Sequence, residues 1–121
     1  MKTSELTGAA LDWAVAKGEG YTGIALQERT DTEWYSPSID WSQGGPIIER
    51  EGFNRIVKNL SHGYTVSKKL AVLTEDAEDA EDAEVVRWVH GSGPTPLIAA
   101  MRCYVASKLG DEVEIPEELT A

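Results

Sequence analysis

The amino-acid sequence predicts an α+β fold in which helices pack on a small antiparallel or mixed sheet, in an α-β-α sandwich-like arrangement. Two segments with few charged residues, 4–17 and 96–109, have apolar side chains at helical spacing. Four other runs concentrate β-branched and aromatic residues between turn signals, as strands do. The chain has 121 residues, 41% of them hydrophobic, which suits a single domain spanning residues 1–121.

The first helix is predicted over residues 4–17. Thr3 or Ser4 can cap its start, Lys17 suits its last turn, and Gly18 can terminate it. Its apolar residues form more than one stripe, so little of its surface is left to face water.

A less regular segment at residues 36–52 has helix signals at both ends. Ser38 can cap the start, with Asp40 in the first turn, and Gly52 can end the helix. Pro46 follows two glycines and should weaken the middle, because proline removes a backbone donor and crowds the preceding turn. A bent or two-piece helix is therefore predicted.

Strands are predicted over residues 21–27, 53–57, 64–72 and 85–90, with a short additional strand that includes Val113 and Ile115. A repeated Glu-Asp-Ala triplet precedes the fourth of these strands, and residues 75–84 hold seven of the 21 acidic residues. Such a segment is too charged to bury, so we expect an acidic low-complexity linker at about residues 74–84.

The last helix, over residues 96–109, has the clearest boundaries. Thr95 suits the N-cap, Pro96 the first helical position, and Gly110 follows the last turn. Only Arg102 and Lys108 are charged within it. We therefore expect cover on two sides, from the sheet and from either the first helix or another subunit.

Composition excludes several classes of protein. The formal net charge of −10 argues against direct nucleic-acid binding, which depends on clustered Lys and Arg. A single cysteine, Cys103, excludes an internal disulfide framework. The sequence has neither a secretory signal pattern nor an apolar run long enough for a membrane span, so we expect a soluble protein of a reducing cytoplasm.

The motifs that could carry chemistry are weak. Residues 18–23 match the dinucleotide pattern G-x-G-x-x-G, but they follow a predicted helix and enter a predicted strand, so a turn is expected. Residues 91–93, Gly-Ser-Gly, are expected to be a plain loop. Cys103 is expected to be an inert core residue. His62 and His90 lack a metal-ligand spacing, and we predict no catalytic residues, no metal and no cofactor.

One constellation suits a ligand. Aromatic residues lie in or beside predicted loops, and the helix that begins at Thr95 has free amides that could accept an anion. Arg50, Arg55 or Arg102 could bind a phosphate or carboxylate. The alternative is that the aromatic residues only cover a small core and that Thr95 only caps its helix. The candidate ligand-binding residues are Tyr21, Trp34, Tyr35, Ser38, Asp40, Trp41, Thr95 and Arg102.

Three blocks of the sequence resemble a known family. They are MKTSELTGAALDWAVA at residues 1–16, YSPS with GGPIIEREG within residues 35–52, and GPTPLIAAMRCYV at residues 93–105. This chain resembles the NinX family of lambdoid phages and prophages. The resemblance implies a phage-encoded accessory protein that acts inside a bacterium and whose function is unassigned. It also implies similarity to phage domains described as α-β-α sandwiches, and it brings no catalytic residues.

These observations favour a non-enzymatic binding protein that engages a host small molecule such as a nucleotide-like signal, or a host protein, and so counteracts a host defence. We expect it to be a homo-oligomer. The alternative is an acidic interaction protein that occupies a basic surface of a host nucleic-acid enzyme. A small hydrolase or transferase is the third hypothesis, because only scattered carboxylates and two histidines could serve it.

Overall fold

The computed structural model describes residues 1–32, 34–53, 55–59, 63–73 and 84–119. Its helices are α1 (Gly8–Gly18), α2 (Gly23–Thr30), α3 (Trp41–Glu51) and α4 (Pro96–Leu109), and its strands are β1 (Arg55–Asn59), β2 (Gly63–Leu73) and β3 (Glu84–Gly93). Short 3₁₀ turns span Thr3–Glu5 and Glu117–Leu119. His62 and most of the predicted acidic linker, residues 74–83, lie outside the described residues.

The three strands form an antiparallel sheet in the order β1-β2-β3. Val66 in the central strand pairs with Ile56 on one side and with Gly91 on the other. β2 and β3 include the residues predicted for them, whereas β1 begins two residues later than predicted, at Arg55. The prediction of helices packed on a small antiparallel sheet is confirmed.

Helix α4 is the middle layer of the fold. It packs on β2 and β3 on one side, while α1 and α3 pack on it in turn, so the layers run in the order sheet, α4, then α1 with α3. Its predicted boundaries are correct, and the Ile98 amide donates to Thr95 Oγ1 at 3.1 Å, as an N-cap requires. Met101 and Tyr104 are fully buried by this arrangement within one chain.

The glycines before α4 belong to strand β3 rather than to the predicted loop. A Cβ atom at Gly91 would overlap the Cys103 backbone nitrogen and the Ala99 carbonyl oxygen. Glycine is therefore needed here because the backbones of β3 and α4 touch.

The start of the predicted first helix is wrong. Residues 3–5 form a separate 3₁₀ turn, and α1 begins only at Gly8. Thr3 does not cap a helix, because its hydroxyl donates to the Gly110 carbonyl oxygen at 2.7 Å and its amide donates to Asp111 at 2.8 Å. These bonds tie the N-terminal segment to the residues that follow α4.

The strand predicted over residues 21–27 is wrong, because residues 23–30 form helix α2. The run contains more helix formers than β-branched residues, and a helix directs Leu26 onto Ala16 and Tyr35. Ile24, which favoured the strand prediction, is 75% exposed. Packing of α2 on α1 decided the outcome.

Helix α3 is one continuous element and not two pieces. Its N-cap is Asp40 rather than Ser38, since the Asp40 carboxylate accepts from the Ser42 amide at 2.9 Å. Gly52 ends the helix at a positive φ of 62°, as predicted. Pro46 forfeits one intrahelical hydrogen bond, and the helix continues past it.

The strand predicted to include Val113 and Ile115 is absent from the described residues, where only a single bridge joins Lys2 to Glu112. Val113 is buried, and its amide donates to the Met1 carbonyl oxygen at 2.9 Å. Its apolar side chain therefore reflects packing against the core rather than strand formation. No helix in the described part of the chain combines the length and the apolar character that crossing a membrane requires.

Candidate functional site

A cavity of about 490 Å³ lies among the end of α1, helix α2, the segment that follows α2, and α3. Aromatic rings and two guanidinium groups line much of it, so we call it the aromatic–arginine cavity. Its lining includes Tyr21, Arg29, Trp34, Tyr35, Gln43 and Arg50.

The Arg29 guanidinium is surrounded by three rings. Its central carbon lies 4.9 Å from the ring centroid of Tyr21, 5.2 Å from that of Tyr35 and 5.5 Å from that of Trp34. These distances allow cation–π attraction with each ring. Arg29 Nε is buried and has no hydrogen-bond partner among the described residues. A buried N–H donor without a partner is costly, which marks this position as unusual.

Helices α2 and α3 position these groups. α2 carries Arg29 near its end, and Tyr35 is buried in a small apolar cluster with Ala16. The Gln43 side chain fixes the segment between the two helices, because its amide nitrogen donates to the Trp34 carbonyl oxygen at 2.6 Å and its oxygen accepts from the Ser36 amide at 2.9 Å. Trp34 nevertheless stays 64% exposed.

An ion pair lies at the edge of the cavity. Arg50 donates to both carboxylate oxygens of Glu19, at 3.1 and 2.7 Å, and the Tyr104 hydroxyl donates to Glu19 at 2.7 Å. The hydrogen bond to Glu19 raises the pKa of Arg50, and burial followed by the hydrogen bond to Glu19 raises the pKa of Tyr104. Glu19 therefore accepts from both terminal nitrogens of the second guanidinium and neutralises its charge.

The Tyr35 phenol is also affected by the charges around the cavity. Burial raises its pKa to about 12, the negative charge of Glu19 adds to the shift, and the positive charge of Arg29 opposes it. Tyr35 is consequently a neutral hydrogen-bonding ring at physiological pH rather than a base.

Three of the predicted site residues, Tyr21, Trp34 and Tyr35, are brought together in this cavity. The candidates that follow shortly in the sequence, Ser38, Asp40 and Trp41, do not line it. Asp40 caps α3, and Trp41 is exposed in the first turn of that helix. Ser38 is buried, its amide donates to Asp12 at 2.9 Å, and its hydroxyl has no hydrogen-bond partner among the described residues.

The remaining two candidates lie elsewhere. Thr95 caps α4, and Arg102 lines a separate, larger cavity of about 880 Å³ between the N-terminal residues and the end of β3. The Arg102 guanidinium donates to the carbonyl oxygens of Leu6 at 2.9 Å and Ser92 at 2.7 Å, so it holds backbone segments together. Asp111 and Glu112 also line this cavity and balance the charges of Lys2 and Arg102, so its lining offers an anion no net positive charge. We therefore take the smaller cavity as the candidate site.

Sequence reasoning missed Arg29, Gln43 and Glu19. No local pattern marks Arg29, because Tyr21 precedes α2 and its contact with Arg29 depends on how the chain turns into that helix. No local pattern marks Glu19, whose partner Arg50 is 31 residues away.

The other motifs have structural roles. The segment 18–23 joins α1 to α2, and Gly20 and Gly23 adopt positive φ angles of 101° and 55° in it. Cys103 is buried in the core as predicted, and burial raises the pKa of its thiol to about 11. Among the described residues, no group of three His, Cys, Asp or Glu residues is arranged to hold a metal ion.

A family model described as Bacteriophage P22, NinX matches residues 2–108. No curated protein matches the sequence. The matched range includes all of α4 except its last residue and every described residue that lines the aromatic–arginine cavity. Because the match spans most of the chain, the protein belongs to the NinX family of bacteriophage proteins.

Proposed function

We propose that this phage accessory protein is a non-enzymatic binding protein. Its aromatic–arginine cavity binds a small ligand of the nucleotide type, with a planar ring and an anionic group, inside the infected bacterium. One observation carries the proposal. Arg29 presents a planar cation among three aromatic rings, and its buried Nε has no hydrogen-bond partner among the described residues. A ligand oxygen that displaced a neighbouring ring and accepted from this N–H would remove the cost of leaving the buried donor unpaired.

The shape of the cavity supports the same class of ligand. Its volume of about 490 Å³ lies in the range of roughly 300–1,000 Å³ that is common for small-molecule sites. Trp34 is largely exposed beside the Arg29 cation, so its ring is free to stack on a flat ligand. A planar base would then contact rings, while a phosphate or carboxylate would contact guanidinium N–H groups.

The same groups argue for binding rather than catalysis. The carboxylate of Glu19 is paired with Arg50 and accepts from Tyr104. The Tyr35 phenol keeps its proton at neutral pH, and the rise of its pKa to about 12 moves it further from the range of a base. A general base must have a free acceptor and a pKa near the working pH, and neither group meets both conditions.

The first experiment measures ligand-induced stabilisation. A panel of nucleosides, nucleoside phosphates and simple aromatic carboxylates is added to the purified protein, and melting temperature and calorimetric affinity are recorded. A ligand present at 100 times its Kd should stabilise the folded state by about 2.7 kcal/mol. No stabilisation by any member of the panel at millimolar concentration would contradict the proposal.

Variants of Arg29 test the site itself. Arg29→Gln removes the cation, and we expect it to weaken binding of any ligand found in the panel by at least about tenfold, since a charge-assisted hydrogen bond contributes roughly 1.5–3 kcal/mol. Arg29→Lys keeps the charge without the planar group and should recover only part of the affinity. Arg55→Gln is the matched control, because it makes the same charge change on the exposed side chain of Arg55 in β1, outside the cavity lining. Equal losses in Arg29→Gln and Arg55→Gln would exclude the cavity as the site.

A further inference from the structure

The cavity contains two cations, but an internal carboxylate already neutralises one of them. Arg29 and Arg50 line it, and Glu19 lines it too and binds Arg50 through both oxygens. The Glu19 side chain is only 19% exposed and accepts a third hydrogen bond, from Tyr104. The charges of the described lining residues therefore leave a single positive charge, which is the one on Arg29.

The negative charge of Glu19 is fixed in place by its partners. Tyr104 is fully buried in the middle helix α4, so its hydroxyl holds the carboxylate from the core side. Arg50 is itself held by a second carboxylate, Glu51, at 3.1 Å. A ligand cannot easily push Glu19 away, because three hydrogen bonds on the carboxylate would have to break.

From this geometry we infer that Glu19 is a specificity-determining residue that makes the cavity select a planar ligand with one negative charge over the same ligand with two. The inference rests on the proposed function, since it concerns the same cavity. A single anionic oxygen group at Arg29 is attracted by the free cation. A second negative charge finds no unpaired guanidinium among the described lining residues, because Arg50 is already bound to Glu19. It would therefore lose its hydration without gaining an ion pair.

The experiment varies ligand charge while keeping the ring constant. For each of the common bases, three probes are compared at pH 8: the neutral nucleoside, the methyl ester of its 5′-monophosphate with one charge, and the 5′-monophosphate. The phosphomonoester carries nearly two charges at that pH, because its second pKa is about 6. Isothermal titration calorimetry gives the affinity of each.

For the unmodified protein we expect the singly charged ester to bind on the order of tenfold more tightly than the doubly charged monophosphate, because the second charge would lose its hydration without gaining a partner. In Glu19→Gln the monophosphate should gain more than the ester, so that this preference disappears or reverses. Tyr104→Phe is the matched control, because it removes a hydrogen bond from Glu19 without changing any charge, and it should keep the preference.

A second variant guards against misfolding. Arg50→Gln leaves the Glu19 charge unneutralised and should weaken the binding of both charged probes. Glu19→Gln, by contrast, should strengthen it. Structural damage would weaken binding in both variants and would overturn the inference, as would equal affinities of the ester and the monophosphate for the unmodified protein. Absence of binding by every ring-bearing probe would instead overturn the proposed function.

Discussion

Glu51, at the end of α3, forms ion pairs with cations from three parts of the fold. It accepts from Lys68 at 2.8 Å and from Arg50 at 3.1 Å, and Lys108 lies 3.2 Å away. Burial opposes its ionisation, but the hydrogen bonds from these cations outweigh burial and lower the pKa of Glu51 to about 2. One carboxylate thus joins α3 to the sheet and to α4.

This pKa predicts how stability depends on pH. Because the folded state lowers the pKa of Glu51, its contribution is complete above the unfolded value of about 4.5 and is lost as pH falls toward about 2. The full contribution is on the order of 3 kcal/mol. Urea unfolding at pH 6 and pH 3 should give a smaller difference in Glu51→Gln than in the unmodified protein. An unchanged difference would show that the cluster contributes nothing to the pH dependence.

Helix α3 contains two adjacent glycines with different surroundings. A Cβ atom at Gly44 would overlap the Pro37 carbonyl oxygen and lie 2.5 Å from Leu97 Cδ1, whereas a Cβ at Gly45 would meet only the Trp41 ring at 3.9 Å. Of the two glycines, only Gly44 therefore lies in close contact with the rest of the fold. This contact fixes how α3 presents its cavity-lining residues.

The pair gives a matched test at the level of the element. Gly45→Ala should stabilise the protein by about 0.5–1 kcal/mol, because alanine is the better helix former. Gly44→Ala gains the same propensity but should be destabilising by about 1–3 kcal/mol, since backbone or Leu97 must move. Chemical denaturation of both variants measures the difference. Equal effects of the two substitutions would contradict the close packing of α3.

Across the whole molecule, α4 provides the core that the other layers share. Its apolar surface contacts the sheet on one side and α1 and α3 on another, all within one chain. The expectation of a homo-oligomer began from the need to cover this helix. That need is met inside the monomer, so the burial of α4 gives no reason to expect a second copy.

Met101 tests this arrangement because it is fully buried in α4. Met101→Ala should destabilise the protein by about 2–5 kcal/mol through lost apolar contacts and the cavity left behind. Ile24→Ala, at a side chain that is 75% exposed, should change stability by no more than about 0.5 kcal/mol. Urea denaturation at two protein concentrations measures both. A small effect of Met101→Ala, or a strong dependence on protein concentration, would contradict a core completed within one chain.

The sequence by itself determined the elements whose signals are local. The boundaries of α4 follow from a threonine cap, a proline at the first position and a glycine beyond the end, all within one segment. Strands β2 and β3 follow from their β-branched residues, and the aromatic part of the site follows from rings near loops. Each of these features depends on residues close together in the chain.

Only the tertiary structure decided the features that depend on distant partners. Residues 23–30 are helical because this conformation buries Leu26 against α1 and Tyr35. Thr3 donates a hydrogen bond to the Gly110 carbonyl oxygen and does not cap a helix. The cavity likewise unites Arg29 with the ion pair of Glu19 and Arg50, which are 31 residues apart. Burial and charge pairing join residues that are close in space but distant in the sequence. A local sequence pattern contains only one of the two partners, so it cannot predict the contact.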